Sequence, residues 1–414
     1  MDALLFIPVA VILVGAYFLL RLRFFIFRPK KMCSDIVALV KKPRALKSLS
    51  LALAGTLGVG NIIGVAVGIG IGGAGSVFWL ALSAIPAAAI KYSESILASS
   101  EGEGCGMMSV MCSTLGSRGE RMASIYAFLL VLLAFFMGAG LQCASFAEVG
   151  SLLFGIPAGL IGVALIIPVI PILFLGISRI KSVTAVFVST ASVLYIVMSL
   201  YVIFLHAGKI PEAFGLILSE AFTPDGIKGG VAGAVSLHAL REGFCRGVLS
   251  NEAGLGTSSL AHEAESGYTP HEAGIVGVLE VVFDTAVLCP LTALMLLCAG
   301  DPSQPTASGY VFSAVKCGGV VFEYIFLASL FCFAFSTVVC WSSYGALSYS
   351  YLFGKKRGVF RFLFCLSLPL GAVLGSSSLV TLIDYITLPL AVLSMLTVMK
   401  NSDRVIALSE FRKY

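Results

Sequence analysis

The chain has 414 residues, of which 58% are hydrophobic and 12% are charged, and its formal net charge is +5. Its mean hydropathy is +1.00. So few polar groups could not cover the surface of a soluble globular protein, which excludes that class. Apolar runs longer than about 18 residues recur along the chain, and they are continuous rather than alternating. Composition therefore predicts an all-α polytopic membrane protein in a lipid bilayer and excludes a β-barrel.

Hydropathy and length predict about eleven transmembrane helices. In chain order they run near residues 3–22, 48–72, 75–98, 122–149, 157–177, 180–206, 228–260, 272–298, 319–352, 359–375 and 378–399. The first run ends at Arg21 and Arg23 without a small-residue cleavage site, so we expect a retained span rather than a signal peptide. We find no appended soluble domain, no signature for nucleic-acid binding and no evident obligatory protein partner.

The positions of the basic residues predict the orientation of the chain. They cluster in every second loop and in the tail: Arg21, Arg23, Arg28, Lys30, Lys31, Lys41, Lys42, Arg44 and Lys47, then Arg118 and Arg121, Arg179 and Lys181, Lys355, Lys356, Arg357 and Arg361, and finally Lys400, Arg404, Arg412 and Lys413. Cytoplasmic loops carry the excess of lysine and arginine. We therefore expect a multi-pass plasma-membrane protein with its N-terminus outside and its C-terminus in the cytoplasm.

Two glycine-rich interruptions lie inside long apolar runs, at Gly55–Gly64 and Ser250–Thr257. Irregular backbone is tolerated at membrane depth only where it is buried in protein or lines a cavity. A matched pair of broken helices, one in each half, indicates the binding site of a secondary transporter. The predicted organisation is an N-terminal helix with a basic loop (1–47), two inverted repeats of five helices (48–206 and 207–400) and a tail (401–414).

Three blocks of sequence carry a family resemblance. They are Gly58–Ala66 with Gly72–Trp79, Arg246–Gly256 with Ala261 and His262, and Phe333–Thr337 with Trp341. These blocks resemble the alanine or glycine:cation symporter family. The resemblance implies a leucine-transporter-like fold with one extra N-terminal span, and sodium-coupled uptake of small neutral amino acids. Two stretches depart from the family pattern: Gly138–Ser145 keeps only Gln142 and Ser145 of a polar cluster, and Gly104–Ser109 lacks the usual proline and tyrosines.

A helix that stops inside the membrane frees N–H groups, which suit a carboxylate, and C=O groups, which suit Na⁺. With the resemblance, this gives a predicted substrate site of Thr56, Gly58, Gly60, Asn61, Gln142, Asn251, Thr337 and Trp341. The predicted Na⁺ ligands are Thr56, Leu57, Gly60, Ser336 and Thr337. The structural alternative to Na⁺ binding for Ser336 and Thr337 is a hydrogen bond from the hydroxyl to the preceding turn of the same helix.

Two intramembrane acids, Glu252 and Asp284, are functional candidates by default. For Glu252 we favour a structural ion pair with Arg241 or Arg246, whereas for Asp284 the structural and functional interpretations stand equal. The pairs His262-Glu263 and His271-Glu272 lack HExxH spacing and are predicted to lie in a solvated loop. His238 is predicted to be a packed core histidine.

These features predict a Na⁺-coupled symporter of alanine, glycine or a similar small neutral amino acid, with no organic cofactor. The alternative keeps the fold but carries another small zwitterion or amine, or uses H⁺ as the coupling ion. No catalytic dyad or nucleophile motif is present, so we do not expect an enzyme. Ala139 and Ala144 replace amides of the family pattern beside Gln142, which predicts a roomier pocket.

Overall fold

A computed structural model describes residues 3–42, 53–101, 106–173, 177–222, 236–257, 259–260, 269–354 and 357–410. These residues form helices and their connections, without a β-strand. The helices are α1 (Phe6–Arg21), α2 (Pro29–Val40), α3 (Ile63–Gly72), α4 (Gly75–Ser100), α5 (Met107–Leu115), α6 (Ser117–Phe154), α7 (Ala158–Leu173), α8 (Ile177–Leu205), α9 (Ile210–Ala221), α10 (Leu237–Asn251), α11 (Pro270–Ala299), α12 (Ala307–Lys316), α13 (Val320–Phe353), α14 (Arg357–Leu374), α15 (Ser376–Lys400) and α16 (Ser402–Leu408). The all-α prediction is confirmed.

Six of these helices contain a stretch long and apolar enough to cross a membrane: α4, α6, α8, α11, α13 and α15. Four shorter apolar helices accompany them: α1, α7, α14 and the segment Val59–Gly72 that includes α3. The predicted span near 228–260 contains α10, which carries buried charged residues and is not among these ten. Five further helices, α2, α5, α9, α12 and α16, were not predicted, because they have 7 to 12 residues and do not produce a membrane-length apolar run.

The connection before α11 differs from its prediction. Thr269 and Glu272 form a reciprocal capping box that begins α11, with Pro270 in the first turn. His271 is 4% exposed, and its Nδ1 lies 2.7 Å from the hydroxyl of Tyr92. The prediction of a solvated loop is therefore wrong for this pair, because a strong N-terminal cap carries the helix through it.

Three other parts of the sequence analysis are either contradicted or lie wholly or partly outside the described residues. His238 is exposed, so its prediction as a packed core residue is wrong in this structure. The pair His262-Glu263 lies outside the described residues. So does the start of the Gly104–Ser109 stretch, which the structure describes only from Gly106 onward.

Helix α4 lies at the centre of the packing that positions the site. It contacts α1, α10 and α11 along its length. Its last turns carry fully buried side chains, and the ring of Tyr92 lies 4.6 Å from the ring of Phe25, centroid to centroid. Aromatic pairs at this distance add to the stabilisation that comes from apolar burial. The polar groups that α4 presents to α10 and α11 are consequently buried.

Two helices contain a π-helical segment in mid-course. In α6 it covers Ala134–Leu141, and in α11 it covers Val282–Leu288. Segments of this kind have hydrogen bonds between residues five apart, insert one extra residue into the helix and are frequent at functional sites. The first segment ends at Leu141, directly before Gln142, and the second segment contains Asp284. Both segments therefore carry or adjoin the polar side chains predicted to be functional.

Candidate functional site

The first predicted interruption is a break in the helix. Residues 53–56 are helical, Leu57 and Gly58 form a bend, and Val59–Asn61 form a single 3₁₀ turn before α3 begins at Ile63. Gly58 is extended, with φ −121° and ψ −163°, and its N–H donates to the carbonyl of Thr56 at 2.9 Å. The regular helical bonding pattern is therefore interrupted over about one turn of buried backbone.

Side chains from two other helices fill this break. Oε1 of Gln142, from α6, accepts a hydrogen bond from the N–H of Val59 at 3.0 Å. Oγ1 of Thr337, from α13, lies 3.3 Å from the carbonyl oxygens of both Ala54 and Leu57. A Cβ atom on Gly58 would lie 2.9 Å from Oε1 of Gln142 and 3.0 Å from Oγ1 of Thr337. Only a glycine lets the backbone come this close to both groups.

Three neutral oxygen atoms meet at Thr337. They are its hydroxyl and the carbonyls of Ala54 and Leu57, all neutral oxygens of the kind that hard cations prefer. Ser336 differs, because its hydroxyl donates to the carbonyls of Cys332 and Phe333 in its own helix. Of Ser336 and Thr337, the structure thus brings only the hydroxyl of Thr337 to the first break, and Ser336 makes the alternative hydrogen bonds within its own helix.

Trp341 closes one side of the first break. Its side chain is fully buried, and its indole N–H donates to the carbonyl of Gly55 at 3.3 Å. It packs against the π-helical segment of α6, where a Cβ on Gly138 would lie 2.4 Å from the Cβ of Trp341. Trp341 and Thr337 are four residues apart and share one face of α13, as their spacing predicts.

The second predicted interruption is also a break. Helix α10 ends at Asn251, and Glu252 adopts the left-handed conformation with φ +56°. Gly254 and Gly256 also have positive φ values, of 87° and 73°. Residues 252–257 are therefore not helical although every one of them is buried. A left-handed glutamate is uncommon and is maintained only where its surroundings fix it.

The two breaks contact each other. The hydroxyl oxygen of Ser250 lies 3.0 Å from Oδ1 of Asn61. Asp284 accepts hydrogen bonds from the Asn61 amide and the Ser250 hydroxyl. A Cβ on Gly60 would be 3.7 Å from the carbonyl oxygen of Leu249, so the backbones approach closely. Asp284, for which the sequence left two interpretations open, therefore links the two breaks.

The polar groups of Asn251 form hydrogen bonds in and around the second break. Its Nδ2 donates to the hydroxyl of Thr285 at 2.9 Å, and its Oδ1 accepts from the N–H of Ala253 at 2.9 Å. Its backbone carbonyl, freed where α10 ends, accepts a hydrogen bond from Nζ of Lys91 at 2.7 Å. A lysine at the C-terminal end of a helix is also favoured by the helix dipole.

Two functional candidates on α4 were not predicted from the sequence. Lys91 and Glu94 are fully buried and lie on one face of α4, three residues apart. Glu94 accepts hydrogen bonds from the N–H groups of Gly254 at 3.3 Å and Gly256 at 3.0 Å, and from the hydroxyl of Ser394 at 2.7 Å. The signal was present in the sequence, because ionisable residues inside an apolar span are functional candidates by default.

The predicted pairing of Glu252 is wrong. Arg246 instead bonds to Asp384 of α15 and lies 3.6 Å from Glu242. Arg241 donates to Glu242 at 2.5 Å. The physical reason is where the helix ends: Glu252 lies past the end of α10 in a left-handed conformation, so it does not continue the helix that carries both arginines.

Comparison with known proteins identifies relatives across the whole chain. The model of the sodium:alanine symporter family matches residues 2–414. The sodium/alanine symporter AgcS of Methanococcus maripaludis is 33% identical over 328 residues, which cover 75% of this chain and 71% of the relative. The uncharacterized transporter YflA of Bacillus subtilis is 32% identical over 97% of this chain and 89% of its own length. The probable sodium/glutamine symporter GlnT of B. subtilis is 29% identical over 84% and 74%.

Solved structures resemble the fold at low sequence identity. MhsT in complex with L-phenylalanine matches with a TM-score of 0.54 and 14% identity, over 87% of this chain and 97% of that one. A manganese transporter of Eremococcus coleocola matches with a TM-score of 0.53 and 13% identity, over 83% and 75%. The predicted leucine-transporter-like fold is confirmed, and the family and fold are those of membrane transporters rather than enzymes.

Proposed function

The chain belongs to the sodium:alanine symporter family, and we propose that it carries a small neutral amino acid such as alanine or glycine together with Na⁺ by alternating access. The observation that carries this proposal is the contact between two buried helix breaks. Gln142, Thr337 and Trp341 line the first of these breaks. Paired broken helices at the centre of a bundle are the usual binding site of secondary transporters.

The amino acid would bind at the first break. Its carboxylate would face the N–H groups near Gly58–Asn61, where the backbone bends and the start of α3 supplies a positive dipole end. Its ammonium group needs a buried acceptor, because an unpaired charge at membrane depth is costly. Oε1 of Gln142 lies at this position and would exchange its bond to Val59 for one to the ammonium. The side chain would face Trp341.

Sodium would bind between Oγ1 of Thr337 and the carbonyls of Ala54 and Leu57. These neutral ligands hold a cation weakly enough for it to leave on the other side, as a coupling ion must. Thr56, Gly60 and Ser336 remain predicted ligands, although the Ser336 hydroxyl would have to leave the carbonyls of its own helix. In this proposal the basic loops face the cytoplasm. Uptake would run inward because the Na⁺ gradient that drives it is directed into the cell.

The size of the substrate follows from the alanines beside Gln142. Ala139 and Ala144 are both fully buried, where the family pattern has larger amides. We expect the transporter to accept serine or 2-aminobutyrate, since each buried CH₂ contributes up to ~0.8 kcal/mol if it fills available space. The glutamine named for the relative GlnT makes a larger polar substrate the second candidate.

Counterflow of labelled alanine in proteoliposomes tests the function. We expect exchange that requires Na⁺ and stops when choline replaces it. A competition series from glycine to glutamine would then measure the pocket. Loss of inhibition at the first carbon beyond alanine would contradict the roomy pocket. Exchange that persists in choline would refute Na⁺ coupling and favour H⁺ as the coupling ion.

A further inference from the structure

We propose that the second break contains a proton-binding site at Glu252, so that a proton accompanies the amino acid and Na⁺. This inference rests on the proposed function. Glu252 is not paired with either arginine of α10, yet its side chain is only 1% exposed. A buried carboxyl group must be neutralised by a partner, a cation or a proton.

Direct partners do not neutralise Glu252. Its Oε2 accepts one hydrogen bond, from the hydroxyl of Thr257 at 2.5 Å. Its Oε1 is buried and has no hydrogen-bond partner in the described part of the chain. An ionised carboxylate needs several donors when water is excluded, whereas a protonated one can donate to that same threonine hydroxyl and leaves less charge unsatisfied.

The surrounding charges also favour a proton at Glu252. The titratable groups around it are Lys91 and Glu94 from α4, Tyr126 from α6, Glu280 and Asp284 from α11, and Tyr344 from α13. Among these described groups one ammonium faces four carboxyl groups, Glu252 included, each at most 1% exposed. The lysine already lies 3.3 Å from Glu280 and donates to the backbone at Asn251.

The other two carboxyl groups have better support than Glu252. Glu94 accepts three hydrogen bonds, from Gly254, Gly256 and Ser394. Asp284 likewise accepts from Asn61, Ser250 and Thr285. Glu252, with a single donor, is therefore the carboxyl group that is best served by a proton.

The position of Glu252 connects its proton to transport. It is the first residue of the second break, held left-handed between α10 and Ala253. Because the breaks move relative to the surrounding helices in alternating access, the environment of this carboxyl group changes between the two states. In the occluded arrangement the acid is neutral. Opening of the break to water lets O–H dissociate, so that the proton passes to water and the carboxylate remains hydrated until the break closes.

The test measures protons moved per alanine. Proteoliposomes that contain a pH-sensitive dye receive a Na⁺ gradient and labelled alanine, with the membrane potential clamped by potassium and valinomycin. We expect the wild type to acidify the lumen by about one proton per alanine. Glu252→Gln should lower this ratio towards zero, whatever rate of uptake remains. The matched control Glu212→Gln, at an exposed position of α9, should keep the wild-type ratio.

The possible outcomes separate the two proposals. Na⁺-dependent uptake by the wild type without acidification would overturn the proton site and leave the symporter proposal intact. So would a Glu252→Gln variant that acidifies like the wild type. If that variant does not fold, the wild-type ratio alone decides. No Na⁺-dependent uptake of any neutral amino acid would refute the proposed function itself.

Discussion

Replacement of Gly58 by alanine tests the geometry of the first break. The added methyl would lie 2.9 Å from Oε1 and 3.1 Å from Nε2 of Gln142, and 3.0 Å from Oγ1 of Thr337. The amide is the far end of a flexible side chain, so we expect it to move while the helices stay in place. Its movement breaks the hydrogen bond to the N–H of Val59 and displaces the group proposed to bind the substrate ammonium.

The magnitude follows from the proposed bond between Oε1 of Gln142 and the substrate ammonium. A buried polar group left without its partner costs about 1–3 kcal/mol. Each ~1.4 kcal/mol is a factor of ten in affinity, so the half-saturating alanine concentration should rise between about 5-fold and about 150-fold. The assay is Na⁺-driven alanine counterflow over a range of alanine concentrations. Size-exclusion chromatography and thermal melting establish that the variant is folded.

Gly70→Ala is the matched control. In the described part of the chain, no atom outside the backbone of α3 itself lies within 4 Å of the Cβ position at Gly70, which is inside α3 only a few turns from the break. We expect alanine affinity within about two-fold of the wild type and a stability gain of up to about 1 kcal/mol, because alanine favours a helix over glycine. A folded Gly58→Ala variant with wild-type affinity would show that Gln142 does not contact the substrate.

Three further predictions follow from the same region. Lys91→Met removes the cation beside Glu280, so it should lower the free energy of unfolding by about 3–5 kcal/mol. The melting temperature should recover in part in the double variant Lys91→Met with Glu280→Gln, and no recovery would contradict the pairing. Thr337→Val should raise the half-saturating Na⁺ concentration at least tenfold, whereas Ser336→Ala should change it by less than about twofold because its hydroxyl bonds to its own helix; equal effects would refute the assignment. Trp341→Phe removes a buried N–H donor and should cost about 1–3 kcal/mol in stability, measured by thermal melting, and an unchanged melting point would argue against that hydrogen bond.

The two breaks could be predicted from the sequence because clustered glycines and polar residues are incompatible with a continuous lipid-facing helix at membrane depth. The family resemblance also placed Gln142, Thr337 and Trp341 in the predicted substrate site. Helical spacing predicted that Thr337 and Trp341 share one face of their helix. The junction of the two breaks through Ser250 and Asp284 could not be predicted, since that contact depends on how α10 and α11 pack.

The buried charges mark the limit of prediction from the sequence. The sequence places Glu252 in the same predicted span as Arg241 and Arg246, which suggested an ion pair, but it says nothing about a left-handed residue that ends the helix. Arg246 bonds instead to Asp384, 138 positions away on α15. Lys91 lies within the span predicted near 75–98, but its contact with the freed carbonyl of Asn251 depends on the packing of α4 against α10.

The π-helical segment Ala134–Leu141 has a consequence for how α6 tolerates changes in length. Elsewhere in a transmembrane helix, deletion of one residue turns every following side chain by about 100°, the angle per residue of a 3.6-residue turn. A π segment holds one surplus residue, so a deletion inside 134–141 can be absorbed as the segment becomes an ordinary α-helix. Gln142 and the residues after it would keep their orientation. We therefore expect a single-residue deletion there to fold, whereas one at Leu129 should not, and expression of both variants as monodisperse protein would decide the point.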